Sequence, residues 1–166
     1  MVLGGAASAA EPALKGFERA AQPKPAPELR WRGPDATETS LAAYQGKVVL
    51  LNLWATWCAP CIKELPSLQR LQAKLQDEPF AVVALSIDRN QPGADKARDM
   101  LHRLRLDALA FHHDGEGRVF RALGVEVMPT TVIFDASGRE VGRLRGPAEW
   151  DAPEAEALVR SFIAPR

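Results

Sequence analysis

The chain has 166 residues, a length that fits one domain with an extension. Hydrophobic residues make up 46% of the sequence and charged residues 25%, so the chain can fill an ordinary globular core. Lysine plus arginine equals aspartate plus glutamate at 21 each, which leaves no formal net charge. Because this balance creates no broad positive field, neither a nucleic acid nor an anionic membrane surface is a predicted partner.

The first 27 residues differ in composition from the rest of the chain. Residues 1–10 are almost all small or apolar, and three prolines alternate with other residues over 23–27, as in a semi-rigid spacer. Residues 7–9 (Ala-Ser-Ala) are like the cleavage end of a secretory signal, although no basic or long apolar segment precedes them. We predict that the first 27 residues are a tether or linker, a remnant of an export signal or membrane anchor region, and that residues 28–166 form the folded domain.

After this segment, apolar runs alternate with amphipathic segments, which predicts an α/β fold with a central sheet flanked by helices. Residues 47–54 are too uniformly apolar for a half-exposed strand, so we predict a central strand there. The other predicted elements, in chain order, are a helix behind the two cysteines, a strand at 80–87, a helix around 97–104, a strand at 109–111, a helix at 119–123, a strand at 131–134, its hairpin partner at 141–144 and a last helix from Asp151.

The only two cysteines, Cys58 and Cys61, are three positions apart where the central strand gives way to the first helix. If the helix begins at Cys58, its free N–H groups and the positive end of its dipole face the Cys58 sulfur and favour the thiolate. The thiolate is the form that attacks disulfides, and the second sulfur lies one turn away on the same face. The spacing therefore predicts Cys58 as the attacking thiol and Cys61 as the resolving thiol, with this redox-active pair in place of any added cofactor.

Other roles for the two cysteines are open to the sequence. A structural disulfide is disfavoured because closing so short a loop removes little unfolded-chain entropy. A zinc site needs four ligands, and His102, His112 and His113 lack the usual spacing of histidine ligands. Two inert buried thiols would be a coincidence of spacing. We therefore predict redox chemistry and no metal site.

The chain around the dithiol resembles a known family. The motifs that carry the likeness are residues 54–61 (Trp-Ala-Thr-Trp-Cys-Ala-Pro-Cys), Glu64, Pro66, residues 124–131 (Gly-Val-Glu-Val-Met-Pro-Thr-Thr) and the turn at 134–138. Residues 28–166 resemble the thioredoxin fold with a mixed sheet, and specifically the membrane-anchored TlpA-type thiol-disulfide reductases, relatives of ResA and CcmG. The segment 146–150 (Gly-Pro-Ala-Glu-Trp) is particularly similar to rhizobial-type TlpA proteins.

The resemblance implies a substrate-binding surface beside the dithiol. Pro129 matches the family's cis-proline, and the Met128 backbone before it would pair with a substrate strand. An ordinary trans-proline entering an edge strand is the alternative, because few X–Pro bonds are cis. Trp57 is expected to shield the dithiol and to offer apolar contact to a partner. Ala59 and Pro60, between the two cysteines, complete the predicted surface.

One departure from thioredoxin concerns proton transfer. Thioredoxins carry a buried aspartate six residues before the first cysteine, where this chain has Asn52, which cannot take a proton. Glu64 lies three residues after Cys61, on the same helix face, and ResA-like proteins carry a glutamate there. We predict Glu64 as the proton acceptor, with a pKa raised by partial burial. A plain surface glutamate is the alternative.

Two other function classes share this fold. A Sco-like copper-binding chaperone uses a Cys-x3-Cys pair and a distant histidine, whereas Cys58 and Cys61 have two residues between them, which suits a disulfide better. A peroxiredoxin needs a threonine three residues before its reactive cysteine, and Ala55 stands there. The copper chaperone is therefore the alternative that we retain.

The resemblance implies a periplasmic protein-disulfide reductase, membrane-anchored in its full-length form. Such a protein would act in the assembly of the cytochrome oxidase copper centre or in cytochrome c maturation. Its expected substrates are disulfide-containing periplasmic proteins: a copper chaperone, the copper subunit of the oxidase or an apocytochrome c. A membrane electron donor of the DsbD or CcdA type would keep it reduced, and we expect a monomer.

Overall fold

One mixed β-sheet organises the part of the chain that the computed structural model describes, residues 10–164. The strands are β1 (Phe17–Pro25), β2 (Arg30–Arg32), β3 (Glu38–Ser40), β4 (Val48–Trp54), β5 (Phe80–Ser86), β6 (His112–His113), β7 (Thr130–Phe134) and β8 (Arg139–Arg145). The helices are α1 (Ala59–Lys74), α2 (Asn90–Arg103), α3 (Arg118–Ala122) and α4 (Pro153–Phe162), with a 3-10 turn at Leu41–Tyr44. The strand order across the sheet is β1-β8-β7-β4-β5-β6-β2-β3.

Strand β4 lies in the middle of the sheet, and all seven of its residues are buried. It pairs in parallel with β5 and antiparallel with β7, so that Leu51 lies opposite Val83 on one side and Val132 on the other. Strands buried on both faces have near-continuous apolar sequences, which is why this one was recognisable. The predicted central strand is confirmed.

Helices cover both faces of the sheet. On one face, Leu50 packs in a cluster with Leu65 and Leu68 of α1 and Leu158 of α4. On the other face, the alternate β4 residues Leu51 and Leu53 pack with side chains from β2, β7 and α3. Because successive side chains of β4 point to opposite faces of the sheet, the strand contributes residues to two hydrophobic cores. The predicted thioredoxin-like α/β fold with a central mixed sheet flanked by helices is confirmed.

The predicted tether extends too far along the chain. Residues 17–25 form strand β1, which pairs antiparallel with β8 and places Phe17 opposite Leu144. The Phe17 ring lies over Gly142, where any Cβ would come within 2.4 Å of the ring, so only glycine leaves the space. The ring also contacts Phe162 of α4, at 6.3 Å between centroids. These contacts make β1 part of the folded domain, and a boundary at residue 27 is wrong for this strand.

Other boundaries differ by a few residues. The strand predicted at 109–111 is instead His112–His113, and α4 begins at Pro153 rather than Asp151, with no side-chain cap. Residues 7–9, on which the export-signal prediction depends, lie outside the described residues. None of the helices within residues 10–164 combines the length and apolar character needed to cross a bilayer.

Candidate active site

The two cysteines lie at the junction between β4 and α1, as predicted. Cys58 is the N-cap residue of α1, in extended conformation, and the helix begins at Ala59 with Pro60 in its first turn. Proline fits there because the first N–H groups of a helix have no partner within it. Cys58 and Cys61 form a disulfide, with their Cα atoms 5.3 Å apart.

The two sulfur-bearing residues differ in burial. Cys58 retains 6% of its surface exposed, whereas Cys61, one turn inside α1, retains none. Trp57, directly before Cys58, is 68% exposed. A partner disulfide would therefore meet Cys58 and the indole first. This arrangement fits the predicted roles of attacking and resolving thiol, which stay predictions.

Glu64 is buried, with 2% of its surface exposed, so the surface-glutamate alternative is wrong. Its Oε2 accepts hydrogen bonds from the Ala148 N–H at 2.9 Å and from the Trp150 indole Nε1–H at 3.2 Å. Burial penalises the charged carboxylate more than these donors favour it, and the pKa of Glu64 rises to about 7. A group with that pKa can take up and release a proton near neutral pH.

Asn52 holds the other oxygen of this carboxyl group. Its Nδ2 donates to Glu64 Oε1 at 2.6 Å and to Thr131 Oγ1 at 2.9 Å. The position that holds an aspartate in thioredoxin is thus occupied by a hydrogen-bond partner of the substitute carboxyl. Asn52 Oδ1 is buried and has no hydrogen-bond partner within residues 10–164.

The Met128–Pro129 peptide bond is cis, as the family resemblance implied. Pro129 comes directly before β7, whose first residue, Thr130, lies opposite Leu53 near the end of β4. Met128 packs against the buried cluster that contains both cysteines. Val127, one residue earlier, is 47% exposed. The sheet register therefore brings this loop beside the dithiol, which is where the substrate-binding prediction needs it.

A cleft of about 620 Å³ opens on one side of the dithiol. We call it the apolar cleft; its walls come from the first turns of α1 and from the segment between β8 and α4, and the residues are Ala59, Pro60, Lys63, Glu64, Pro147, Ala148 and Glu149. Ala59 and Pro60, both predicted as substrate-binding, are exposed on it. The hydrogen bonds of Glu64 to Ala148 and Trp150 hold its two walls together.

Sequence reasoning missed a buried polar network behind the dithiol. Asp88 is 5% exposed, and its carboxylate accepts hydrogen bonds from the Thr56 hydroxyl at 2.5 Å, the Thr56 N–H at 3.0 Å and the Ser86 hydroxyl at 2.8 Å. The network ties the loop before Cys58 to the end of β5. The sequence did contain a signal for this network. Strands β4 and β5 are parallel, and polar residues that follow parallel strands lie together at one edge of the sheet.

The histidines have structural contacts. Trp31 Nε1 donates to His112 Nδ1 at 3.1 Å, and burial lowers the pKa of His112 to about 4. His113 Nε2 lies 2.6 Å from the Asp88 carbonyl oxygen. Within residues 10–164, histidine, cysteine and carboxylate side chains form no cluster of three that could hold a metal ion.

The fold and the Cys58–Cys61 pair define the class: a thioredoxin-fold thiol-disulfide oxidoreductase, with protein-disulfide reductase activity by thiol:disulfide interchange. Residues 21–159 match the Redoxin family. The chain belongs to that family, and within it to the TlpA/ResA/CcmG type.

Relatives agree with this assignment. The thiol-disulfide oxidoreductase ResA of Bacillus thuringiensis subsp. konkukian is 27% identical over 126 residues, which cover 74% of this chain and 69% of ResA. The thioredoxin-like protein YneN of Bacillus subtilis is 31% identical over 119 residues, or 68% of this chain and 65% of YneN. The solved structure of a thiol:disulfide interchange protein, DsbE, from Chlorobium tepidum matches with a TM-score of 0.76 and 26% identity, over 89% of this chain and 99% of that chain.

Proposed function

We propose that the protein is a periplasmic dithiol reductase that reduces disulfides in partner proteins during copper-centre assembly of cytochrome oxidase or cytochrome c maturation. The observation that carries the proposal is the asymmetry of the dithiol. Cys58 lies at the start of α1 beside the exposed Trp57, and Cys61 is fully buried one turn below it. In a pair arranged in this way, the outer thiol can attack a substrate disulfide and the buried thiol can resolve the mixed disulfide that forms.

The reaction starts from the reduced protein. The Cys58 thiolate attacks one sulfur of the substrate disulfide, and the other substrate sulfur leaves as a thiolate that takes a proton from solvent. Cys61 passes its proton to Glu64 and attacks the Cys58 sulfur of the mixed disulfide, and the bond to the substrate breaks. The second substrate sulfur leaves as a thiolate that takes a proton from solvent. Two electrons have then moved to the substrate, and the protein is left with the Cys58–Cys61 disulfide. A membrane dithiol donor of the DsbD or CcdA type would restore the reduced form.

Glu64 supports this sequence of steps because its pKa of about 7 lets it accept the Cys61 proton at neutral pH. The Met128–Pro129 loop supports the docking of a substrate strand, since Pro129 has no N–H that would need a partner. Small residues near position 8 and the resemblance to anchored TlpA-type proteins support the periplasmic location. The likeness of residues 146–150 to rhizobial-type TlpA favours copper delivery over cytochrome c maturation.

Covalent trapping tests the assignment of the two thiols. The Cys61→Ser variant should attack a partner disulfide and remain attached to it, because no resolving thiol follows. The Cys58→Ser variant is the matched control and should trap almost nothing. Both are incubated with oxidised periplasmic extract, quenched with acid and compared on non-reducing gels. Equal trapping, or trapping mainly through Cys61, would contradict the proposal.

The reduction potential tests the direction of electron flow. A protein that donates electrons should have a potential nearer about −270 mV, as in thioredoxin, than about −120 mV, as in DsbA. Equilibration with glutathione buffers, followed by quantification of the Cys58–Cys61 disulfide, measures it. A value above about −150 mV would place the protein among the oxidants and overturn the reductase proposal.

A further inference from the structure

A second cleft, of about 710 Å³, is lined by Trp57, the residue before Cys58, and shares no lining residue with the apolar cleft. We call it the basic cleft; the residues that matter are Trp57, Ile87, Arg89, Lys96, Phe120 and Arg121. They come from four places: the loop before Cys58, the end of β5, helix α2 and helix α3. Residues as far apart in the sequence as Trp57 and Arg121, which are 64 positions apart, thus line one surface next to the attacking thiol.

Charge distinguishes the basic cleft. Arg89, Lys96 and Arg121 are exposed, and within residues 10–164 none of the three forms an ion pair. Arg121 donates only to a backbone oxygen, that of Glu116, at 2.8 Å. The carboxylate of Glu116 pairs instead with Arg118, at 3.5 Å. Three cationic side chains therefore face the cleft without a carboxylate partner.

Within residues 10–164, the one carboxylate that lines the basic cleft is already engaged. Asp88 is buried, and its oxygens accept hydrogen bonds from Thr56 and Ser86. The first turn of α2 also borders the cleft, through Pro92 and Gly93, so the positive end of the α2 dipole adds to the field there. In a chain with no formal net charge, this concentration of positive charge is local. Such a surface attracts an anionic partner at short range.

The geometry points to an acidic segment of the substrate protein, next to its disulfide, as the occupant of the basic cleft. This inference rests on the proposed reductase function and names a substrate class for it. Carboxylates of the segment would pair with Arg89, Lys96 and Arg121, while an apolar side chain beside them would contact Trp57 and Phe120. Arginine suits this role because its planar guanidinium binds a carboxylate with two hydrogen bonds.

Two disulfide-bridged peptides test the inference. They have the same length, but glutamates flank both half-cystines of one peptide and glutamines replace them in the other. The rate constant for reduction of each by the pre-reduced protein is measured at low and at high salt. We expect the acidic peptide to react at least about fivefold faster at low salt, with the advantage lost at about 0.5 M salt. Equal rates at low salt would overturn the inference.

A pair of triple variants locates the effect. Arg89→Glu, Lys96→Glu and Arg121→Glu together should remove or reverse the preference for the acidic peptide while the glutamine peptide is still reduced. The matched control is Lys47→Glu, Arg103→Glu and Arg105→Glu, which changes the net charge equally at exposed positions outside the cleft. The control should keep the preference. Loss of preference in both variants would show a general charge effect and overturn the docking surface.

A binding measurement separates this inference from the proposed function. Cysteine-free versions of the two peptides are titrated into the oxidised protein and followed by tryptophan fluorescence. Trp57 is the exposed indole, since Trp31, Trp54 and Trp150 are at most 1% exposed. If neither bridged peptide is reduced, the reductase proposal fails, and tighter binding of the acidic peptide would still support the cleft. Equal binding of both peptides would overturn it.

Discussion

The two clefts beside Cys58 differ in what their side chains offer. The apolar cleft contains a buried carboxyl group whose pKa is about 7, held by Asn52, Ala148 and Trp150. The basic cleft presents exposed cations around Trp57, and Asp88, the one carboxylate that lines it within residues 10–164, accepts hydrogen bonds from Thr56 and Ser86. Under the proposals made above, the apolar cleft would move a proton and the basic cleft would meet a charged segment of the substrate. The comparison between the two clefts is therefore one of proton transfer against charge recognition.

The largest expected effect separates the two tryptophans of this site. Trp150 is fully buried, so Trp150→Ala should lower the free energy of unfolding by about 3–5 kcal/mol. Trp57→Ala, the matched control at a 68% exposed position, should change it by less than about 0.5 kcal/mol while slowing peptide reduction. Urea unfolding of the oxidised proteins measures both. Similar losses of stability in the two variants would contradict the difference between the buried Trp150 beside one cleft and the exposed Trp57 of the other.

Glu64 should make the stability of the oxidised protein depend on pH. Its pKa is raised from 4.5 to about 7, so the folded state holds a proton that the unfolded state has lost. The resulting stabilisation is full below pH 4.5 and disappears as the pH rises through 7, a difference of about 3 kcal/mol. Glu64→Gln should remove this part of the pH dependence, because the amide does not titrate.

The matched control for that experiment is Glu154→Gln, at an exposed position in the first turn of α4. It should keep the wild-type dependence of the free energy of unfolding on pH between 4 and 8. Glu64→Gln should also slow the resolution step in peptide reduction, whereas Glu154→Gln should not. Parallel pH profiles for the wild type and Glu64→Gln would return Glu64 to a purely structural role.

A smaller effect is expected from Asn52→Asp. It places a second carboxyl group 2.6 Å from Glu64, and two carboxylates at that distance cannot both ionise without a large cost. We expect a loss of about 1–3 kcal/mol at pH 8 and a smaller loss at pH 5, where the pair shares protons. Asn90→Asp, the same change at an exposed position, should leave stability nearly unchanged. Equal losses at both pH values would contradict the coupling to Glu64.

The smallest effect concerns single charges. Arg89→Gln should lower the rate with the acidic peptide about twofold at low salt and leave the rate with the glutamine peptide unchanged. Lys63→Gln, on the wall of the apolar cleft, should alter neither rate. Stopped-flow measurement of the two rates decides this. A larger effect from Lys63→Gln would move the recognition surface to the other cleft.

Features that depend on local chemistry could be predicted from the sequence. Strand β4 was recognisable because all its residues are buried, and the dithiol because Cys58 and Cys61 stand where that strand ends. The partial burial predicted for Glu64 depended on its position one turn after Cys61, with a surface glutamate as the alternative. These predictions needed only the periodicity of a helix or the uniformity of a central strand.

Features that depend on distant partners could not be predicted. Strand β1 exposes most of its residues, so its sequence lacks the alternation that marks a half-buried strand, and only the free edge of β8 determines its pairing. The partners of Glu64 at Ala148 and Trp150 are more than 80 residues away, as the sequence separations of 84 and 86 show. The basic cleft combines residues from four segments and has no sequence motif.

The carboxamide of Asn52 has one further consequence for Glu64. An amide carries a donor and an acceptor in one plane, and a half-turn about its last bond exchanges them. With Nδ2 facing Glu64, Asn52 donates to the carboxylate; after the half-turn, the unpartnered Oδ1 would accept the proton of the carboxylic acid. The half-turn would also withdraw Nδ2 from Thr131 Oγ1, whose hydroxyl could then donate to Oδ1. With that adjustment the same side chain would match both forms of Glu64 without any movement of β4, and a proton would arrive and leave while the strand that supports the dithiol stays in place.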